Sequence, residues 1–75
     1  MKREAVDSSN IKSIGYDPET QVLEVEFNYR GGTVYRYKGV PMTVHAGLME
    51  AESKGKFLNS EVKGTYEYEQ VAVDS

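Results

Sequence analysis

A strict alternation of apolar and polar side chains runs through the first half of the chain. From Leu23 to Arg30 the odd positions carry Leu, Val, Phe and Tyr, and the even positions carry Glu, Glu, Asn and Arg. This is the period of a β-strand with one buried and one solvated face, because successive side chains of a strand point to opposite faces. The chain must therefore build a one-sided sheet and cover its apolar face.

Length and composition limit how that sheet is stabilised. The chain has 75 residues, enough for one domain, and it contains no Cys, so its core must hold by packing alone. The first residues lack the apolar stretch of a secretory signal, and no run is long enough to span a bilayer, so we expect a cytoplasmic protein. The net charge is −3, with equal numbers of cations and anions between Ile11 and Tyr66, which argues against a uniformly basic nucleic-acid surface.

Cross-strand pairing fixes the predicted register of the central hairpin. A two-residue loop at Gly31–Gly32 would mix apolar with charged residues on both faces, whereas a three-residue loop at Arg30–Gly32 separates them. The second register predicts four pairs: Phe27 with Tyr35, Val25 with Tyr37, Glu26 with Arg36, and Glu24 with Lys38. It also predicts that Val25, Phe27, Tyr35, Tyr37 and Leu48 share one core.

The remaining elements complete an α+β fold. Ile11–Tyr16 is predicted to be a first strand, followed by an Asp17–Thr20 turn in which Pro18 presets φ. Apolar residues at helical spacing predict a helix over Met42–Lys54 that ends at Gly55. Asn59 then caps a short turn, Ser60–Lys63, which Gly64 closes.

These elements predict a small three-stranded antiparallel β-meander packed against one main α-helix. A short helical turn and an extended C-terminal segment follow, and Thr65–Val71 is a candidate edge strand. We predict a single domain over residues 9–71, with flexible termini at 1–8 and 72–75.

No catalytic or metal-binding constellation stands out. His45 is the only His, whereas zinc sites need three or four nitrogen or sulfur ligands, so we expect no metal, no cofactor and no consequential pH switch at this residue. Glu24 and Glu26 share a strand face, but the predicted register gives each a cation, which favours a solvated salt-bridge face over acid–base catalysis. We therefore expect a binding protein that is not an enzyme.

Two segments combine aromatic rings with cations. They are Tyr35–Lys38 and Ser53–Asn59. Binders of single-stranded RNA use such combinations, because bases stack on rings while Lys and Arg meet phosphates. The alternative is structural, with Tyr35 and Tyr37 in the core and the lysines closing a helix.

It is at these segments that the chain resembles the KTSC domain family. The resemblance runs from about Ser9 to Val71 and rests on an ordered set of segments: Ile14–Asp17, Leu23, Phe27, Gly32, Tyr35–Tyr37, Val40–Pro41 and Ser53–Asn59. The family is named for its occurrence at the C-terminus of some lysyl-tRNA synthetases, and it also occurs as short stand-alone bacterial and phage proteins. The resemblance implies a self-contained domain for which RNA binding has been suggested, and it brings no catalytic residues.

We therefore expect RNA to be the partner, with no membrane and no metal. The alternative is a protein-interaction module that uses the same surface or an exposed sheet edge. Because the register turns Tyr35 and Tyr37 inward, the predicted binding residues are the nearby cations and the later tyrosines: Arg36, Lys38, Lys54, Lys56, Lys63, Tyr66 and Tyr68.

Overall fold

Five strands form one antiparallel sheet in the order in which they occur along the chain. The computed structural model describes residues 3–6, 8, 10–28 and 33–71. The strands are β1 (Arg3–Ala5), β2 (Ile11–Asp17), β3 (Val22–Phe27), β4 (Val34–Tyr37) and β5 (Tyr68–Val71). Between β4 and β5 the chain forms helices α1 (Met42–Glu50) and α2 (Lys54–Phe57) and a π-helical turn at Leu58–Val62. The α+β class is confirmed, but the three-stranded meander is wrong because β1 and β5 extend the sheet at both edges.

The β2–β3 hairpin contains the predicted turn at one end and a β-bulge at the other. Asp17 Oδ1 accepts a hydrogen bond from the Glu19 backbone N–H at 3.0 Å, as the turn chemistry predicts. The β2–β3 register shifts between Ile11 and Ser13, so that one extra residue is accommodated. This bulge explains why Ile11 and Ile14, three residues apart, are both fully buried in the core.

The predicted β3–β4 register is wrong by two residues. Glu24 lies opposite Arg36 and Val25 opposite Tyr35, in place of Lys38 and Tyr37. At the end of β3, the Asn28 backbone N–H donates to the Asn10 carbonyl, which continues the β2–β3 ladder, and the Phe27 N–H donates to the Thr33 carbonyl, which pairs Phe27 with Thr33 across the β3–β4 connection. The connection is therefore longer than three residues. The predicted Arg30–Gly32 loop itself lies outside the described residues.

The N-terminal segment 1–8, which we expected to be flexible, contains β1. Arg3, Glu4 and Ala5 pair with Gly15, Ile14 and Ser13 of β2. This strand is too short and too polar to show a hydrophobic period, and its place in the sheet depends on ladder hydrogen bonds and on the charge of Arg3. The predicted C-terminal flexible residues, 72–75, lie outside the described residues.

The predicted long helix is split in two. α1 ends at Glu50, and Ala51 is extended. Ser53 then caps α2 by accepting a hydrogen bond from the Lys56 backbone N–H, which lets the chain fold back until the Phe57 ring lies against Gly47. A Cβ atom on Gly47 would lie 2.8 Å from that ring, so this close approach depends on glycine.

Gly55 and Asn59 take other roles than the predicted ones. Gly55 lies inside α2 and does not end a helix, and Asn59 lies inside the π-helical turn and does not cap it. Gly64 does close the turn, with a φ of +82° that L-residues rarely adopt.

The core lies between the helices and the sheet face that carries Leu23, Val25 and Phe27, here called the helix-side face. Val25, Phe27, Tyr37 and Leu48 are buried in one cluster, and Tyr35 packs against it half-buried, so the predicted shared core is confirmed. Glu24 and Arg36 lie on the opposite face, because neighbouring residues of a strand alternate between faces.

Candidate nucleic-acid interface

Three tyrosines meet at the β4–β5 edge of the helix-side face. Tyr37 is buried, Tyr35 is half-buried, and the Tyr68 side chain is 61% exposed. The ring centroid of Tyr68 lies 5.4 Å from that of Tyr35, edge to face, and 5.7 Å from that of Tyr37 at a tilt. Pairing of Tyr37 with Tyr68 across β4 and β5 brings the rings together. The solvent exposure of these three rings thus increases from the core outwards, from Tyr37 through Tyr35 to Tyr68.

A cation and a glycine complete a cleft beside these rings. Lys63 follows the π-helical turn, and its Nζ lies 5.2 Å from the centroid of the Phe27 ring, within cation–π range. The cleft has a volume of about 280 Å³. We call it the tyrosine cleft, and its lining residues are Tyr35, Tyr37, Lys63, Gly64 and Tyr68.

A second cleft adjoins the first and shares Gly64 and Tyr68 with it. This outer cleft has a volume of 420 Å³, and its other lining residues are Lys38, Thr65, Tyr66 and Glu67. Tyr66 is half-buried and packs against the core. Tyr66 and Tyr68 were both predicted as stacking platforms, and Tyr68 is the more exposed of the two.

Arg36 lies on the opposite face, where it is held by a buried carboxylate. Glu24 is 3% exposed, and its Oε2 accepts a hydrogen bond from Arg36 Nε at 2.7 Å. Arg3 of β1 donates to Oε1 of the same carboxylate. Burial alone would raise the pKa of Glu24, but the hydrogen bonds from Arg36 and Arg3 outweigh it and lower this pKa. Arg36 is thus joined through Glu24 to Arg3 in an ion network and does not line either tyrosine-bordered cleft.

Lys38 lies at the margin between the two faces. Its Nζ lies 4.0 Å from Glu69 Oε2, and both side chains are 56% exposed, so the pair is a weak surface ion pair. The residue lines the outer cleft, and it also lines a further cleft on the opposite face together with Arg36.

Lys54 and Lys56 are placed on α2, apart from the tyrosine cluster. Lys54 Nζ donates to the Ala51 carbonyl at 3.2 Å, which closes the end of α1. Lys56 is exposed, and Gly55 between them approaches the side chain of Asn10. Neither lysine lines the tyrosine cleft or the outer cleft.

The structure therefore brings together four of the predicted binding residues: Lys38, Lys63, Tyr66 and Tyr68. Tyr35 was excluded from the predicted site because the register turned its ring inward, yet the residue is half-buried and lines the tyrosine cleft. Its partial exposure goes with its contact to the exposed Tyr68 of β5, a pairing across strands that no local pattern reveals. Gly64 was read only as a stop signal and also lines both clefts.

His45 lies outside this region, stacked on Tyr16. The two ring centroids are 4.7 Å apart with an interplanar angle of 10°, and both residues line a cleft with Glu4. Burial lowers the pKa of His45, although the charge of Glu4 opposes that shift. The stacking joins α1 to β2, and the sequence carries no signal for it.

The lowered pKa of His45 corrects the expectation of no consequential pH response at this residue, because it predicts a pH-dependent stability. Because the folded state favours the neutral imidazole, this contribution is fully present above about pH 6.5, the ordinary histidine value, and declines as the pH falls below it. We expect the melting temperature of the wild type to fall between pH 7.5 and pH 5.5, as measured by circular dichroism. His45→Phe keeps a stacking ring without the titration and should flatten this dependence. Equal slopes for both proteins would contradict the assignment.

Metal-ligand clusters and membrane-spanning helices are both absent from the described ranges. Among these residues, no group of three or more His, Asp or Glu is arranged to hold a metal ion. No helix within them is long and apolar enough to cross a bilayer.

Comparison with known proteins identifies related chains. The model of the KTSC domain matches residues 7–71. A protein of Stutzerimonas stutzeri is 51% identical over 63 residues, which cover 84% of this chain and 86% of that protein. A lysine–tRNA ligase of Nostoc is 41% identical over 66 residues, which cover 88% of this chain but only 11% of the ligase. The crystal structure of a KTSC domain protein from Yersinia pestis superimposes with a TM-score of 0.89 at 41% identity, covering 95% of this chain and 97% of that one.

Proposed function

Because the chain belongs to the KTSC domain family, a domain also matched within lysine–tRNA ligases, we propose that it binds single-stranded RNA and has no catalytic role. The observation that carries the proposal is the exposed ring of Tyr68 beside Tyr35 and Lys63. An unpaired base stacks on Tyr68, and Lys63 meets the adjacent phosphate.

The exposed ring is the physical core of this proposal. Tyr68 presents 61% of its surface to solvent, although burying an aromatic ring is favourable. A base stacked on an aromatic side chain contributes about 1–3 kcal/mol by alanine substitution, whichever base it is. Tyr35 supports Tyr68 edge-on and limits the freedom that its ring would lose on binding.

Electrostatics add a modest and salt-sensitive contribution. Lys63 and Lys38 border the two clefts, and the chain as a whole is acidic, so binding cannot rest on a broad positive surface. Two phosphate contacts on a single strand predict a slope of log K against log salt of about −1.4. The lysine–tRNA ligase relatives act on an RNA by name, and this supports RNA over other polyanions.

We predict that Tyr68→Ala weakens binding of a short unstructured RNA by roughly 5- to 150-fold, because the stacking platform is lost. Lys63→Ala should weaken binding and reduce the salt slope by about 0.7. Fluorescence anisotropy of labelled RNA at two salt concentrations measures both effects.

Two matched variants control this experiment. Tyr68→Phe keeps the ring and should bind almost as the wild type does. Lys12→Ala removes an exposed cation of β2 that borders neither cleft, and it should change binding little. Loss of affinity in Lys12→Ala equal to that in Lys63→Ala would mean that binding is nonspecific and would contradict the proposal.

A second candidate function rests on β5, which is an edge strand of the sheet. Tyr68, Glu69 and Gln70 are exposed along it, so its outer edge is accessible for a partner strand to add to the sheet. Absence of RNA binding by the wild type at low salt would favour this protein-interaction function.

A further inference from the structure

We infer that the tyrosine cleft and the outer cleft together bind two successive unpaired nucleotides, with the ring of Tyr68 between their bases. The inference rests on the proposed RNA-binding function and specifies its footprint. Tyr68 and Gly64 line both clefts and therefore stand at the boundary between them.

The ring contacts of Tyr68 support its position between two bases. Its contacts are edge-to-face with Tyr35 and tilted with Tyr37. Among the described residues, Tyr68 has no parallel ring partner. Offset parallel stacking is the arrangement that a nucleobase adopts on an aromatic side chain, and the 61% exposure of Tyr68 leaves surface for such a contact.

The dimensions of the clefts suit one base each. Their volumes are 280 and 420 Å³, near the lower end of the range of about 300–1,000 Å³ that holds drug-sized ligands. Each cleft also has a cation of its own, Lys63 in the tyrosine cleft and Lys38 in the outer cleft. Two bases with their flanking phosphates match two clefts with one lysine apiece.

Gly64 leaves room for the linkage between the two nucleotides. A Cβ atom built on it would meet no atom within 4 Å, so the space above this residue is open. Its φ of +82° disfavours any L side chain there. The backbone at the boundary is therefore accessible where a sugar–phosphate link would pass from one cleft to the other.

RNAs of fixed length that carry bases only at chosen positions test this footprint. The phosphate number stays constant when most nucleotides are abasic, so differences in affinity report base contacts alone. Four strands are compared: one fully abasic, one with a single uracil, one with two adjacent uracils, and one with two uracils far apart. Each is titrated into the wild type, Tyr68→Ala and Tyr68→Phe.

We expect two adjacent uracils to bind the wild type roughly 5- to 150-fold more tightly than one, because a second base gains a stacking surface. Two distant uracils should show only the statistical gain of a repeated single site. Tyr68→Ala should abolish the advantage of adjacency, and Tyr68→Phe should keep it.

The contrary outcomes separate this inference from the proposal on which it rests. If adjacent and distant pairs bind equally but both exceed the abasic strand, the domain binds bases and the two-nucleotide footprint is wrong. If uracils add nothing to the abasic strand, the proposed function itself fails. Should Tyr68→Ala not fold, the comparison of the four strands on the wild type alone decides both points.

Discussion

Phe27→Ala is expected to leave the domain largely unfolded at room temperature. The Phe27 side chain is 3% exposed, packs edge-to-face on Tyr35 with centroids 5.6 Å apart, and carries Lys63 over its ring. Replacing a buried Phe by Ala costs about 3–5 kcal/mol, and a domain of this size without disulfides has a stability of about the same magnitude. Urea denaturation followed by circular dichroism measures the loss.

Two variants control the Phe27 experiment. Phe27→Leu keeps most of the buried volume and should remain folded with a smaller loss. Met42→Ala removes an apolar side chain that is 62% exposed, and it should stay within about 0.5 kcal/mol of the wild type. A folded Phe27→Ala whose urea midpoint matches that of Met42→Ala would contradict the described core.

Glu24→Ala is expected to lower the free energy of unfolding by about 1–3 kcal/mol, since it leaves Arg3 and Arg36 without the buried carboxylate that joins them. The effect stays below that of a fully buried ion pair because the two arginine side chains are 32% and 45% exposed. Because the pKa of Glu24 is lowered in the folded state, its contribution is present above about pH 4.5 and is lost as the pH falls further.

A neighbouring carboxylate provides the comparison for Glu24. Glu26 accepts a hydrogen bond from Ser13 Oγ at 2.9 Å and lies 3.9 Å from Arg3, a looser arrangement at a more exposed position. Glu26→Ala should therefore cost less than Glu24→Ala in thermal denaturation. A larger loss of stability in Glu26→Ala than in Glu24→Ala would contradict this account, because it would make Glu26 the main partner of the arginines on the opposite face.

The faces of the central strands could be predicted from the sequence, although their register could not. The predicted pairing was wrong by two residues, and a shift of two keeps every side chain on its own face because the period of a strand is two. Val25, Phe27 and Tyr37 were therefore placed correctly in the core by an incorrect hairpin. The loop is longer than predicted because Phe27 pairs with Thr33 in place of Tyr35, and no local pattern in the sequence distinguishes these two pairings.

Two further features of the fold could not be predicted because they depend on a few contacts between distant segments. β1 has three residues and no apolar stripe, and its Arg3 is fixed by a carboxylate 21 residues away. The break between α1 and α2 depends on Ser53 as a cap and on Phe57 meeting Gly47, which together override a helical pattern that continues to Lys54. Helix and strand propensities are properties of a local segment and do not include the energy of such tertiary contacts.

The candidate site was predicted in part. Tyr68 was correctly expected to be an exposed ring, because it follows the core strands and belongs to an edge. Lys54, Lys56 and Arg36 were grouped with it on charge alone, and the structure places them on α2 and on the opposite face. The sequence shows how many cations the chain has. Which of them share one surface depends on the fold.

The most direct test of RNA binding at Tyr68 is an NMR titration of the labelled wild-type protein with a short single-stranded RNA. The account predicts shift changes that saturate and concentrate at Tyr35, Lys63, Gly64 and Tyr68, while signals of α1 and of Glu24 stay in place. Saturable changes centred on α2 or on the Arg3–Glu24–Arg36 network, with the Tyr68 signals unmoved, would contradict it.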